Sequence, residues 1–220
     1  MIADGLRRTT RHQDALRLLF LLDVAGFDVT PAAPPNAVAV IHSQTRLQAL
    51  DFWMRNPDYL ANELLEDVER GVRGPEAIEI ARQVVQSDEP LLRRYPMIRW
   101  LFGAYEPLDN ALGLLRAAGL IQLVRDGNPA SGHVREHHYY LLSAGRLALK
   151  QLLTEHEEFS WYRDRALLVA DLAGTVGGAA LKERQYRQAE YAETTHGSRI
   201  EPILSRVRKR LSEMTRGQRS

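Results

Sequence analysis

The chain has 220 residues, enough for one or two domains with a substantial core. Its 29 Lys and Arg nearly balance 28 Asp and Glu, a formal charge of +1, and 45% hydrophobic with 26% charged residues argues against extended disorder. The absence of cysteine excludes disulfides, iron–sulfur clusters, thiolate zinc sites and a cysteine nucleophile, and a cytoplasmic compartment is expected.

The first helical face is Ala15, Leu18, Leu19 and Leu22, at i, i+3, i+4, i+7 spacing. Leu16 and Phe20 widen it, so this helix is expected to be buried on most sides and to end near Gly26. Its most apolar run, 16–22, contains Arg17 and stops at Asp23. That is far short of the ~20 apolar residues that cross a bilayer, and no signal peptide is expected. Pro31, Pro34, Pro35 and Asn36 form a connector that cannot continue a helix. Residues 37–41 are short and β-branched, either a strand or the lead-in to the next helix.

Ser43 can cap a helix through Arg46, Leu47, Leu50, Trp53 and Met54. Asn56, Pro57 and Asp58 stop it and start the next, with Asn56 as cap and Pro57 at the first position. That helix carries Leu60, Leu64, Leu65 and Val68 and ends at Gly71. A further helix opens at Gly74, Pro75 and Glu76, with Ile78, Ala81 and Val85 inward, and breaks at Asp88, Glu89 and Pro90. Pro96 and Pro107 bracket a short apolar segment containing Trp100.

From 109 the pattern is more diagnostic. Residues 109–118 read as a helix with Ala111, Leu112, Leu115 and Ala118 on one face, closed by Gly119. Residues 120–125 and 134–142 read as strands, separated by turn formers over 126–132. Ser143 then caps a helix through Leu147, Leu149, Leu152 and Leu153. Helix, strand, turn, strand, helix is the back half of a winged helix, with 126–132 as its wing. The charged junction 155–158 leads into a helix over 161–173. Three glycines within 174–178 require a turn. A polar helix is expected over 179–193, then a last helix with Ile203, Leu204, Val207, Leu211 and Met214 as its apolar stripe.

The fold class read from these signals is mainly α: a winged helix, a helix-turn-helix with a two-stranded wing, plus additional helices at both ends. Three units are expected: an N-terminal helical domain over 1–95, a winged-helix module over 96–158, and a C-terminal helical extension over 159–220.

Catalytic signatures are missing. There is no phosphate loop ending in Lys-Ser or Lys-Thr, and no Gly-x-Ser-x-Gly elbow. The glycines at 174–178 follow no strand, so an interhelical turn outweighs a phosphate cradle. His133 and His137 share a strand face but stand about 13 Å apart, too far for one metal ion. Glu155, Glu157 and Glu158 fit a charged linker better than a cation site. No enzyme, cofactor or metal is therefore expected, although a site assembled from distant residues would leave no linear motif.

Charge is locally uneven. Between 199 and 220, seven basic residues face two acidic ones, a net +5, so the remainder is −4. Arg199, Arg206, Arg208, Lys209 and Arg210 are candidate contacts for nucleic acid or an acidic partner, as are wing residues Arg125, His133 and Arg135. A solvated helix face is the alternative. The presumptive recognition helix, 109–119, offers only Asn110 and Arg116 for reading bases, beside Asp109. That favours a protein-binding winged helix over specific DNA readout.

The stretch 46–61, RLQALDFWMRNPDYLA, resembles a segment of the small middle subunits of ABC-three-component defence systems, including the accessory subunit of Lamassu-type systems. The resemblance covers about 60 residues at the N-terminal side plus the winged-helix region to about 153. It implies a non-catalytic subunit that assembles with an SMC-like ATPase and an effector subunit, with double-stranded DNA as a further partner and no membrane. Leu47, Leu50, Trp53 and Tyr59 are then candidate partner-interface residues. The competing expectation is a dimeric winged-helix transcriptional regulator that binds operator DNA.

Overall fold

A computed structural model describes residues 10–86, 94–100, 103–128 and 133–217; the side chains of 127, 128, 133–135 and 217 fall outside that description. The fold is mainly helical, with one three-stranded and one two-stranded antiparallel sheet.

Helix α1 (Arg11–Ala25) opens on a capping box. Thr10 accepts from the Gln13 amide while the Gln13 side chain accepts from Thr10. Eight of its residues are buried, including the unbroken run Arg17 to Leu22, so the expected burial on most sides is observed. Strand β1 (Ala37–His42) follows the proline connector, which resolves residues 37–41 as a strand. Helices α2 (Gln44–Arg55) and α3 (Pro57–Glu69) come next. Ser43 caps α2 as expected, at a φ of 68°. Asn56 does not cap α3: its side-chain amide donates back to the Phe52 carbonyl of α2. Asp58 instead accepts from the amides of Tyr59 and of Ile203, 145 positions away.

Every residue from 46 to 65 is buried. Two consecutive helices are thus enclosed on all sides. Each fully buried large apolar side chain there contributes about 1.5–3 kcal/mol relative to exposure.

Helix α4 (Glu76–Gln86) packs on α3. The apolar segment between Pro96 and Pro107 contains a hairpin absent from the sequence reading, β2 (Ile98–Trp100) with β3 (Gly103–Tyr105). Helix α5 (Asp109–Ala117) precedes strands β4 (Ile121–Asn128) and β5 (His133–Leu142). The tip of the expected wing, 129–132, lies outside the described residues. Ser143 is the first residue of α6 (Ser143–Glu155) rather than its side-chain cap. A short 3-10 turn, Glu157–Phe159, joins α6 to α7 (Ser160–Ala173). The expected 179–193 helix is two helices, α8 (Gly178–Tyr186) and α9 (Ala189–Glu193), and α10 (Leu204–Gly217) ends the described chain.

The larger sheet has the order β1-β5-β4. Val40 faces Tyr140 and His42 faces His138 across β1 and β5, while Ile121 faces Leu141 and Leu123 faces Tyr139 across β4 and β5. Ile41, Ile121, Tyr139 and Leu141 are buried, so one sheet face covers the core. α1 packs against both α5 and α7, and α2 against α8. One hydrophobic cluster includes Leu18, Leu47, Leu115, Val169 and Val207. All three segments expected as separate units share it.

Candidate interaction surfaces

The β4–β5 hairpin brings polar groups to the end of the larger sheet. Arg125 pairs with His137 in register and Asp126 with Glu136, and Arg125 and Asp126 are exposed. His133 and Arg135 lie on β5, with side chains outside the described set. The hairpin is therefore mixed in charge, as its sequence suggested.

Beside it lies a contact that sequence reasoning missed. His42 Nδ1 and His138 Nδ1 stand 2.8 Å apart, with rings edge to face at 4.9 Å. One nitrogen must donate and the other accept, so the geometry disfavours two protonated rings. Burial first, and then His138, lower the His42 pKa; Arg46 acts in the same direction and Glu136 opposes it. Ninety-six positions separate the two histidines, so only the pairing of β1 with β5 unites them. Among the described residues, no group of three His, Cys, Asp or Glu side chains could hold a metal ion.

On α5, Ala111, Leu112 and Leu115 are buried. Asp109, Asn110, Gly113, Arg116 and Ala117 form its exposed side. One arginine and one asparagine are offset by an aspartate, a poor set for reading base edges.

Two arginines of the basic last helix pair with acids elsewhere in this chain. Arg206 meets Glu190 at 3.0 Å and the Gln188 side chain at 3.0 Å. Arg210 meets Glu69 at 2.6 Å and Asn62 at 2.7 Å. These two arginines, expected to serve a partner, pair instead with groups of α3 and α9, flanking the buried stripe of Val207 and Leu211, although the Arg206 side chain stays 41% exposed. Arg208 reaches the Val85 carbonyl at 3.4 Å. Lys209 is 79% exposed at its side chain, 4.0 Å from Glu213. Arg199 is exposed on the segment that bonds β2 through Ser198 and Arg99.

The four candidate partner-interface residues lie inside the fold. Leu47, Leu50 and Trp53 are 0% exposed and Tyr59 is 1% exposed. Phe52 packs edge to face between Tyr59 and Tyr191, the Tyr59 hydroxyl donates to the Glu201 carbonyl, and Arg184 covers the Trp53 ring. Their apolar pattern builds the core of this chain rather than a face for another.

Charges accompany that core. Asp51 joins Arg17 and Arg55, and Arg55 reaches Glu106. A second set links Glu63 and Asp67 to Arg184, then Asp67 to Arg73, and Arg73 in turn to Asp171. Burial pushes the Glu63 carboxyl up to about 7, against the pull of Arg184. These groups are tied to one another within the fold, and their placement serves structure.

Comparison with protein families, with curated proteins and with solved structures finds no match. No helix among the described residues is long and apolar enough to cross a membrane.

Proposed function

We propose that this chain is a non-catalytic winged-helix adaptor, a subunit that assembles with an SMC-like ATPase and an effector in an antiphage complex. The winged-helix part of the reading rests on connectivity. A winged helix runs helix, strand, helix, helix, strand, strand, and its first strand pairs with the third. Here α1, β1, α2, α5, β4 and β5 follow that order, with the sheet arranged β1-β5-β4. Residues 56–108 are then an insertion between the second and third helices. Gln48 of α2 spans it, with its side chain accepting from the Glu106 amide and donating to the Glu106 carbonyl just before α5.

The observation that carries the adaptor reading is the exposed side of α5. The helix in the recognition position presents Asp109, Asn110, Gly113, Arg116 and Ala117, which suits a protein surface better than a major groove. The self-paired Arg206 and Arg210 point the same way. In this reading the ATPase partner engages double-stranded DNA, and this subunit adds weak, salt-sensitive phosphate contacts at most.

Coexpression with the neighbouring genes tests it. An SMC-like ATPase should copurify, and Arg116→Glu on α5 should weaken that complex without unfolding the chain. A lone homodimer that protects a defined operator, with specificity far above its nonspecific affinity, would replace the adaptor with the regulator.

A further inference from the structure

His42 and His138 meet on the sheet face turned away from the core. β1 and β5 place them directly opposite one another, and Val124 of β4 faces His138 from the other side. Glu136, two residues before His138, shares that face, as does its register partner Asp126. The opposite face carries the buried Ile41 and Tyr139.

The two rings are held by their surroundings. The Ser43 amide donates to the His137 carbonyl at 2.9 Å and ties the end of β1 to β5. Phe27 stacks on His42 at 6.0 Å, and two backbone hydrogen bonds with Val40 fix Phe27 in turn. The Tyr140 ring stands beside His138 at 6.4 Å. The Glu136 carboxylate lies 3.9 Å from His138 Nε2 and favours a proton there. That leaves the His138 Nδ1 lone pair facing His42. His42 is exposed, so the pair is open to solvent. Arg46 is the cation nearby, but its guanidinium is tied to the Val176 and Gly174 carbonyls, and Glu136 acts on His42 more strongly than Arg46 does. The local field therefore accepts a positive charge.

The spacing suits a metal ion. At a metal–imidazole bond of about 2.0–2.1 Å, two nitrogens on right-angle corners stand about 2.9 Å apart, and on tetrahedral corners about 3.3 Å. The Nδ1 atoms of His42 and His138 are 2.8 Å apart. Opening the pair by about half an ångström or less admits an ion between them. His42 then changes tautomer from Nδ1–H to Nε2–H, so both Nδ1 lone pairs are free to coordinate and no proton is lost.

We propose that His42 and His138 form a binding site for one divalent transition-metal ion of the Zn2+ and Ni2+ class, ligated through both Nδ1 atoms and oriented by Glu136. Imidazole selects these ions over Mg2+ and Ca2+, which take oxygen ligands. Among the described residues no third side chain completes a set, so water supplies the remaining ligands. The bound ion clasps the end of β1 to the base of the β4–β5 hairpin. The site lies on the sheet and not on α5, so its test does not depend on the adaptor reading.

The experiment titrates the whole chain with ZnCl2, NiCl2 and MgCl2 in turn, followed by calorimetry, and records imidazole nitrogen resonances during the Zn2+ titration. Zn2+ and Ni2+ should each bind saturably below millimolar concentration at one tight site per chain, and Mg2+ should not bind there. The nitrogen resonances of His42 and His138 should shift together. His42→Gln and His138→Gln, each checked by circular dichroism, should weaken binding about tenfold or more. His137→Gln and His156→Gln should keep the wild-type affinity; His156, beside Glu158, is the rival pair. No saturable Zn2+ or Ni2+ binding at millimolar concentration overturns the proposal. So does unchanged affinity in a folded His42 or His138 variant, or a loss found only in the His137 or His156 variant.

Discussion

Arg17 and Asp51 are 34 positions apart, and their side chains meet in the core, Arg17 Nε to Asp51 Oδ1 at 2.5 Å. Arg17 is 3% exposed and Asp51 is 0% exposed. Burial alone would raise the Asp51 carboxyl, but Arg17 and Arg55 overcome it and hold its pKa below the ordinary value. Asp51→Asn leaves two guanidiniums facing an uncharged amide. The expected loss is about 3–5 kcal/mol, read from urea midpoints at neutral pH. Because the folded pKa is lowered, this stabilisation is present above the unfolded value and disappears as pH falls through the folded one. The acid limb of stability should therefore be shallower in Asp51→Asn.

Glu63 carries the opposite sign. Burial is the first cause of its rise from 4.5 to about 7, with Arg184 opposing. Between those values the folded chain binds more protons than the unfolded one. Its contribution is complete below about 4.5 and is lost as pH rises through about 7. Urea denaturation across that window should show wild-type stability falling by on the order of 3 kcal/mol from this group. Glu63→Gln should remove the slope. An equal slope in the variant assigns it to other groups.

Gly103 has a φ of +108°, and a Cβ there would lie 2.5 Å from the Tyr191 hydroxyl oxygen. Gly103→Ala combines backbone strain with a clash against a tyrosine already bonded to Ala104. A loss of about 1–3 kcal/mol is expected, with altered Trp100 emission as the hairpin shifts. Unchanged stability would mean the hairpin relaxes without effort.

The arginines of α10 should separate by partner. Arg210→Glu places a carboxylate against Glu66 and Glu69 and should cost about 1–2 kcal/mol. Arg208→Glu breaks only a long contact to a backbone carbonyl and should stay within about 0.5 kcal/mol of wild type. Thermal melting of the two single variants decides the point. Reversing Arg206, Arg208 and Arg210 together would confound binding with folding.

Leu115 is 4% exposed on the buried side of α5. Leu115→Ala should cost about 2–5 kcal/mol. A loss under about 0.5 kcal/mol would mean that α5 is less firmly seated than its burial implies.

Helical periodicity located nearly every helix, because each has an apolar face that repeats near 3.6 residues and turn formers at its ends. The run through Trp53 and Tyr59 was legible as two helices, but not as the centre of the molecule. A helix enclosed on all sides and one with an apolar partner face look alike in a linear pattern, and nothing local shows that Arg46, Asp51, Asp58 and Glu63 are buried as well. The β2–β3 hairpin was not legible, since strands of three residues are too short to show an alternation.

The sequence by itself determined most of the helices, the mainly helical class, the β4–β5 hairpin and the sparse polar set on α5. Those properties follow from neighbouring residues and their local preferences. Tertiary structure alone decided which charges pair. It turned Arg206 and Arg210 onto Glu190 and Glu69 and joined His42 to His138. Each of these depends on contacts between residues sixteen or more positions apart, set by how the helices pack, and no local pattern encodes that distance.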